Sequence, residues 1–429
     1  MWLLVLWVQF AAAFCGTYVA VGDDAPTNEG SKVAIVRQGG VSTLTMSNDV
    51  HGSVSDFAMV IPVPELVVEA ALKVVDPEIF SKIDGYSAAR LVSYTCADFA
   101  PREGDSDTDS DTDSDADYDT GGTVVEGEYI VGEYDVVVLS SSESTSLVSW
   151  LQNNGYNVPS ESVTVLGEYI DAGSYFVAAQ VRPDAGVVDG DTLSPLQISY
   201  ADTTGVLPIR LGTLNSAGEQ DLTIFGINDP ADGKLAIANY PDATLETNCM
   251  LPEDQGLGEW VDAQIDAALP VTGDAHWVTE FAWENGGCDP CTPDGELTEV
   301  DLTSLGFVPD PHYGYAYTFT RLHTRYTPEQ VTQDLVLYPS GIRADTQLRY
   351  IDYNHELEQL FRVCGVGWVE DGGSCDFDDD EADGDTAAGD DPALGDTATA
   401  CGCGGEGGPA VMAGALLVAM AARRRRALR

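Results

Sequence analysis

From Asp105 to Asp119 an aspartate stands at every second position, separated by Ser, Thr, Ala and Tyr. Such a run offers almost nothing to a core, and its neighbouring charges repel one another. Whatever the chain folds into must therefore be built from the segments on either side. Residues 105–122 are expected to be an extended, disordered insertion in a loop, because strand patterns continue before and after it. A second stretch, DFDDDEADGDTAAGDDPALGD over 376–396, has the same character. It makes 376–400 an acidic, disordered spacer. Alternating hard oxygen ligands at Asp105, Asp107, Asp109 and Asp111 suit calcium, but the run lacks the turn glycine and closing glutamate of an EF-hand loop. Weak calcium condensation is all that this pattern predicts, and no other cofactor is expected.

These segments supply part of a formal charge of −52, from 71 acidic and 19 basic residues. A field of that sign repels nucleic acid and anionic lipid, and both are excluded as partners. The ends of the chain point to export. Met1 to Phe14 is an apolar run with small residues at Ala11-Ala12-Ala13, a cleavage pattern for a signal peptide over 1–14, although a basic start is missing. Lipidation of Cys15 is the competing reading, and a buried N-terminal strand a third.

At the other end, 401–429 holds Cys401-Gly-Cys403-Gly-Gly, a short apolar helix over 409–422, and Arg423, Arg424, Arg425 and Arg426. An apolar stretch shorter than the roughly 20 residues of a spanning helix, stopped by arginines, reads as a retention helix with its cluster on the cytoplasmic side. An ordinary tail anchor or a core helix is the plainer alternative, but a core helix has no reason to end in four arginines. The tail resembles the MYXO-CTERM sorting tails of myxobacterial surface proteins. That resemblance implies a sorting protease acting at Cys401 and Cys403, and a Gram-negative, myxobacterium-like cell surface.

Between the ends, 15–375 reads as one ectodomain of α+β class, β-rich with several packed helices. Lys32-VAIVR and Val41-STLTM alternate across Gly39-Gly40, a hairpin signature. Phe57-AMVIPVP predicts a buried strand, and Asp76-PEIFSKIDGYSA a helix capped by Asp76 with Pro77 in its first turn. Leu91-VSYT, Tyr134-DVVVLS, Ser174-YFVAAQVRP, Leu196-QISY, Val206-LPIRLG, Leu222-TIFGIN, Leu235-AIANY and Tyr315-AYTFTRLHTRY read as strands. Helical spacing is expected over Glu143-STSLVSWLQNNGY, over the segment capped by Ser160, over Glu259-WVDAQIDAAL and over His276-WVTEFAWE.

The order of Cys15-Gly-x-Tyr18, Asp56-Phe57-Ala58 with Pro62-Val-Pro64, the 76–88 helix, Trp150-LQNNGYNVP, Tyr175-FVAAQVRP, Leu193-SPLQISY and Thr320-RLHTRYTPEQVTQDL resembles the bacterial family called domain of unknown function 2330. The resemblance runs from about Cys15 to about Arg362 and implies an exported protein with no catalytic or cofactor-binding residues to transfer.

Chemistry-bearing motifs are sparse. There is no G-x-S-x-G elbow, phosphate-binding glycine loop or H-E-x-x-H helix, and Gly256-Leu-Gly258 reads as a loop. His51, His276, His312, His323 and His355 lack metal-ligand spacing. His323, between Arg321 and Arg325, reads as a packing or hydrogen-bonding residue. Of nine cysteines, Cys96, Cys249, Cys288, Cys291, Cys364 and Cys375 are the disulfide candidates. Cys288-Asp-Pro-Cys291 has redox spacing, but it follows a loop, and Asp289 opposes thiolate formation. A structural bridge there, or bonds from this pair to Cys249 and Cys364, is expected. Trp260, Trp277, Trp283, Tyr313, Tyr315 and Tyr317 read as core aromatics rather than a sugar-stacking surface. The expected role is a surface-anchored cell-envelope protein that binds an extracellular ligand or is structural, rather than an enzyme. The alternative is thiol–disulfide exchange through Cys288 and Cys291, or a hydrolase whose residues converge only in space.

Overall fold

The computed structural model describes residues 16–20, 27–51, 57–99, 128–140, 144–153, 156, 158, 162–182, 193–215, 218–285 and 290–375, the last without 293, 294, 313 and 344. The expected signal peptide over 1–14, both acidic segments and the tail lie outside the described residues. In chain order the first elements are β1 (Thr17–Ala20), β2 (Thr27–Gln38), β3 (Val41–His51), β4 (Phe57–Val63), β5 (Leu72–Val74), α1 (Glu78–Ser87), β6 (Arg90–Val92), β7 (Glu128–Val131) and β8 (Tyr134–Ser140). Next come α2 (Ser144–Asn153), α3 (Ser162–Asp171), β9 (Tyr175–Val181), β10 (Leu196–Ala201), β11 (Val206–Leu207), β12 (Gln220–Asn228), β13 (Leu235–Ile237), β14 (Asp242–Ala243) and β15 (Cys249–Met250). The last are α4 (Leu257–Ala268), β16 (Trp277–Glu284), α5 (Glu299–Ser304), β17 (Thr318–Tyr326), β18 (Leu335–Pro339), β19 (Asp345–Gln347) and β20 (Arg349–Ile351). The fold is α+β and β-rich.

Two large sheets pack face to face. One has the order β1-β4-β9-β8-β7, and the other β14-β16-β17-β12-β2-β3-β10-β5 with β19 added beside β16. Their shared core takes Met59, Ile61, Val136 and Val177 from the first sheet and Val33, Leu44, Ile224 and Leu322 from the second. Each outer face is covered in turn. Leu147 and Leu151 of α2 and Leu166 and Ile170 of α3 close over Val60 and Phe176. On the far side, Ile79, Phe80 and Ile83 of α1 and Leu302 of α5 close over Val36, Phe225, Phe281 and Phe319. Beside them, Ile265 of α4 joins Val278, Tyr350, Cys249 and Cys364. The result is four layers, helices outside and sheets inside.

Local chemistry explains most elements. Gly39 and Gly40 both take positive φ, 57° and 80°, as a two-residue hairpin turn requires, and they set Gln38 opposite Val41. Asp76 accepts from the Glu78 amide at 3.0 Å, capping α1 next to Pro77. Ile79, Phe80 and Ile83 then share the buried face, each worth about 1.5–3 kcal/mol.

Some expectations fail. His276-WVTEFAWE is not a helix: Trp277–Glu284 is strand β16, deep in the larger sheet. Both of its faces are covered, Trp277 in the inter-sheet core and Phe281 under α1, so it reads as a nearly continuous apolar run whose period is ambiguous. Its register also shifts between Thr279 and Phe281, which breaks the alternation that marks a strand. Val206-LPIRLG keeps only two strand residues, because Pro208 cannot donate to a ladder. Gly258 lies inside α4 rather than in a loop. Tyr315 and Tyr317 precede β17.

Candidate functional site

Along β17 the odd-numbered residues face the outer helices: Phe319, Arg321, His323 and Arg325. Register places Arg325 opposite Asp221 of β12 and Phe225 opposite Arg321. On the other flank, the register shift in β16 falls at Glu280. A bulge turns the strand locally and re-aims a side chain, and here Glu280 meets the basic line of β17.

The contacts form one continuous chain. Lys32 Nζ lies 2.7 Å from Asp84 Oδ2, and Arg321 Nη1 donates to Asp84 Oδ1 at 2.6 Å. Arg321 Nε stands 2.7 Å from Glu280 Oε2, an ion contact rather than an aligned hydrogen bond. His323 Nδ1 is 2.5 Å from Glu280 Oε1, and its Nε2 is 3.0 Å from Asp221 Oδ1. Arg325 Nε donates to Asp221 Oδ2 at 2.9 Å, while its terminal nitrogens reach Asp266 at 2.6 Å and Asp262 at 3.1 Å. Four cations and five carboxylates thus tie α1, through the sheet surface, to α4.

Glu280 and His323 are 3% and 6% exposed. A buried charge costs several kcal/mol unless it is paired and hydrogen-bonded, and the network supplies those partners. Burial alone would lower the His323 pKa, but hydrogen bonds and charge from Asp221 and Glu280 raise it to about 9. Burial likewise opposes ionisation of Asp221, yet His323 and Arg325 hold it down to about 2. Glu280 also lies below the usual carboxylate range, for although burial pushes it up, His323 and Arg321 outweigh that. At neutral pH the ring is an imidazolium with both nitrogens committed, so it has no free nitrogen to take a proton from a substrate. The line is a staple between helices rather than a general-base site.

Concave surface lies beside α5. A cleft of about 390 Å³ runs between α1 and the 292–301 segment, where Lys82 reaches Asp301 at 2.7 Å and Tyr86 and Glu296 complete the wall. Burial pushes the Tyr86 phenol up to about 12, so it stays a neutral hydrogen-bonding group. Among the described residues, no three His, Cys, Asp or Glu side chains are grouped to hold a metal.

The expected cysteines separate as follows. Cys96 bonds Cys375, and Cys249 bonds Cys364. Cys249 and Cys364 are therefore closed to Cys288 and Cys291, which corrects the expectation that either would bond that pair. Cys291 is disulfide-bonded, with its partner outside the described residues. Cys288 lies outside them, as do Asp105, Asp107, Asp109, Asp111, Cys401, Cys403 and Arg423 to Arg426. Among the described residues no helix is long and apolar enough to cross a membrane. Trp277 and Tyr317 are buried, and Trp283 and Tyr315 pack partly buried on the core under α1. Trp260 packs on the α4 cluster, and Tyr313 is outside the described residues. Sequence reasoning saw Arg321, His323 and Arg325 as neighbours but missed Glu280, Asp221 and Asp84. The one signal for Glu280 was an acidic residue inside an otherwise apolar run.

Comparison with known proteins gives a family and little else. No curated protein matches the chain. The solved structure of baculovirus P35 is similar over 72% of this chain and 95% of that one, at 11% identity and a TM-score of 0.29, too low to carry an argument. Residues 9–338 match the family described as an uncharacterized protein conserved in bacteria, DUF2330. With that match over most of its length, the chain belongs to the DUF2330 family.

Proposed function

We propose that this is an exported protein of a Gram-negative, myxobacterium-like envelope, anchored at the cell surface, whose ectodomain binds or supports rather than catalyses. The observation that carries the reading is the disulfide pair. Cys96–Cys375 and Cys249–Cys364 join residues 279 and 115 positions apart, and such bonds form and persist in oxidising compartments. The apolar amino terminus and the Cys-Gly, apolar, arginine order of 401–429 supply the route and the anchor. The fully committed charges around His323 support a non-catalytic role.

On this reading translocation pauses at the 409–422 segment, and Arg423 to Arg426 stay cytoplasmic because each charge at the bilayer centre costs about 2.5–3.5 kcal/mol. A sorting protease acts at Cys401 and Cys403, and the 376–400 spacer links the domain to the envelope. The test is surface biotinylation and mass measurement of the full chain in a myxobacterial host. Replacing Arg423 to Arg426 with Ser, or Cys401 and Cys403 with Ala, is expected to release the protein or trap it unprocessed. If both variants reach the surface at wild-type mass and abundance, the anchoring reading is wrong.

A further inference from the structure

The described chain ends in a short loop fixed at both sides. Val363 N–H donates to the Gly367 carbonyl and Gly367 N–H to the Val363 carbonyl, each at 2.8 Å. Gly365 and Gly367 take the positive φ values, 71° and 100°, that so tight a turn demands. Cys364, inside the turn, is fully buried and bonded to Cys249. Gly365 backs onto the Trp260 ring, where a Cβ would come within 3.1 Å. Past the turn, Val369 packs against the buried cluster of Met250, Ile351, Leu357 and Val363, as does Cys375, which is bonded to Cys96.

Between these fixed points Val366 is 72% and Trp368 64% exposed. In a mobile loop such side chains turn inward; here the backbone holds them out, so the exposure is built into the fold. We propose that this Val366–Trp368 tip is a lipid-contacting foot, on which the folded domain rests against a zwitterionic membrane surface.

The proposal rests on the anchoring reading given above and names the surface that the anchored domain touches. Tryptophan is suited to that place, since its ring is apolar while its N–H seeks the wet headgroup layer. Exposed Glu370 and Asp371 follow directly, and they disfavour anionic headgroups. The chain continues from Cys375 through residues 376–408 to the apolar 409–422 segment. Taken as the solvated spacer read from the sequence, that stretch spans about 30 Å. Until the sorting protease cuts at Cys401 and Cys403, a tether of that reach keeps the tip at roughly millimolar effective concentration near the bilayer, so a weak contact suffices.

The test uses the full chain mixed with phosphatidylethanolamine–phosphatidylcholine vesicles whose acyl chains carry bromine, which quenches indole emission on contact. Comparing wild type with Trp368→Ala isolates the Trp368 signal, and Trp368→Phe controls for folding. The expected result is that all three float with the vesicles and that the Trp368 signal is quenched. Val366→Asp should weaken the lipid contact roughly tenfold or more, read as lost Trp368 quenching, the effect of losing one apolar contact. Replacing half the lipid with phosphatidylglycerol should weaken it. If the chain floats while Trp368 stays unquenched, the foot is refuted, the anchor stands, and the tip fits a protein partner instead. If nothing floats, the anchoring reading and the foot fail together. Equal quenching with phosphatidylglycerol overturns the choice of a zwitterionic surface.

Discussion

Substituting His323 by Gln tests the charged staple directly. The ring is 6% exposed, with its two nitrogens on Glu280 and Asp221. Its pKa stands at about 9, against an ordinary 6.5. At roughly 1.4 kcal/mol per pH unit this protonation favours the folded state by about 3–4 kcal/mol, a few hundredfold in the folding equilibrium. The same interaction depresses Asp221 to about 2, so it is counted once for the group. A raised folded pKa fixes the sign. The stabilisation is complete below pH 6.5 and disappears as pH rises through 9. Urea unfolding of both proteins, disulfides intact, should therefore show a gap of about 3 kcal/mol or more near pH 6. That gap should narrow by about 3–4 kcal/mol by pH 10. Exposed Lys and Tyr residues titrate alike in both proteins and cancel in the difference. A gap that stays constant from pH 6 to 10 would mean that His323 is neutral in the folded protein, and the staple as drawn would be refuted.

Non-reducing peptide mapping should find Cys96 joined to Cys375 and Cys249 to Cys364, and any crosslink from Cys291 to Cys249 or Cys364 would contradict this pairing. Removing Cys249–Cys364 by a double Ser substitution should cost about 4–5 kcal/mol in unfolding free energy, as loop closure over a hundred or so residues implies. Gly226→Ala should destabilise by about 1–3 kcal/mol in the same assay, because its Cβ would lie 2.6 Å from Leu235 Cδ2; a change under about 0.5 kcal/mol would refute the close approach of β12 to β13. Deleting residues 105–120 should leave the melting temperature within a degree or so, since the described residues on both sides belong to one compact unit.

What could be read beforehand follows the range of the interaction. The β2–β3 turn was legible because Gly39-Gly40 sits between two alternating runs, and α1 because Asp76 and Pro77 mark its start within one turn of its apolar face. Strand β16 was not, because its two covered faces remove the alternation and Glu280 interrupts it. The staple is less legible still. Glu280 lies 43 residues from His323, Asp221 102, and Asp84 237 from Arg321. Nothing local to β17 indicates which carboxylates its arginines and histidine will meet. The pairing of the cysteines is beyond local pattern for the same reason.

One detail of the larger sheet bears on how the protein comes into being. Beside β3, β2 has one other neighbour, β12, aligned in parallel so that Ser31 faces Leu222 and Arg37 faces Asn228. A chain emerging from its amino end forms the β2–β3 hairpin early, then has no strand to seat against β3 until β10 near residue 201 and none against β2 until residues near 228 have appeared. Such high contact order slows folding. On the export reading proposed above, the chain is threaded unfolded through a translocation pore, where slowness is useful because it delays collapse on the wrong side of the membrane. Cys96 cannot meet Cys375 until nearly the whole domain has emerged, so on that reading the bond records the completion of the journey.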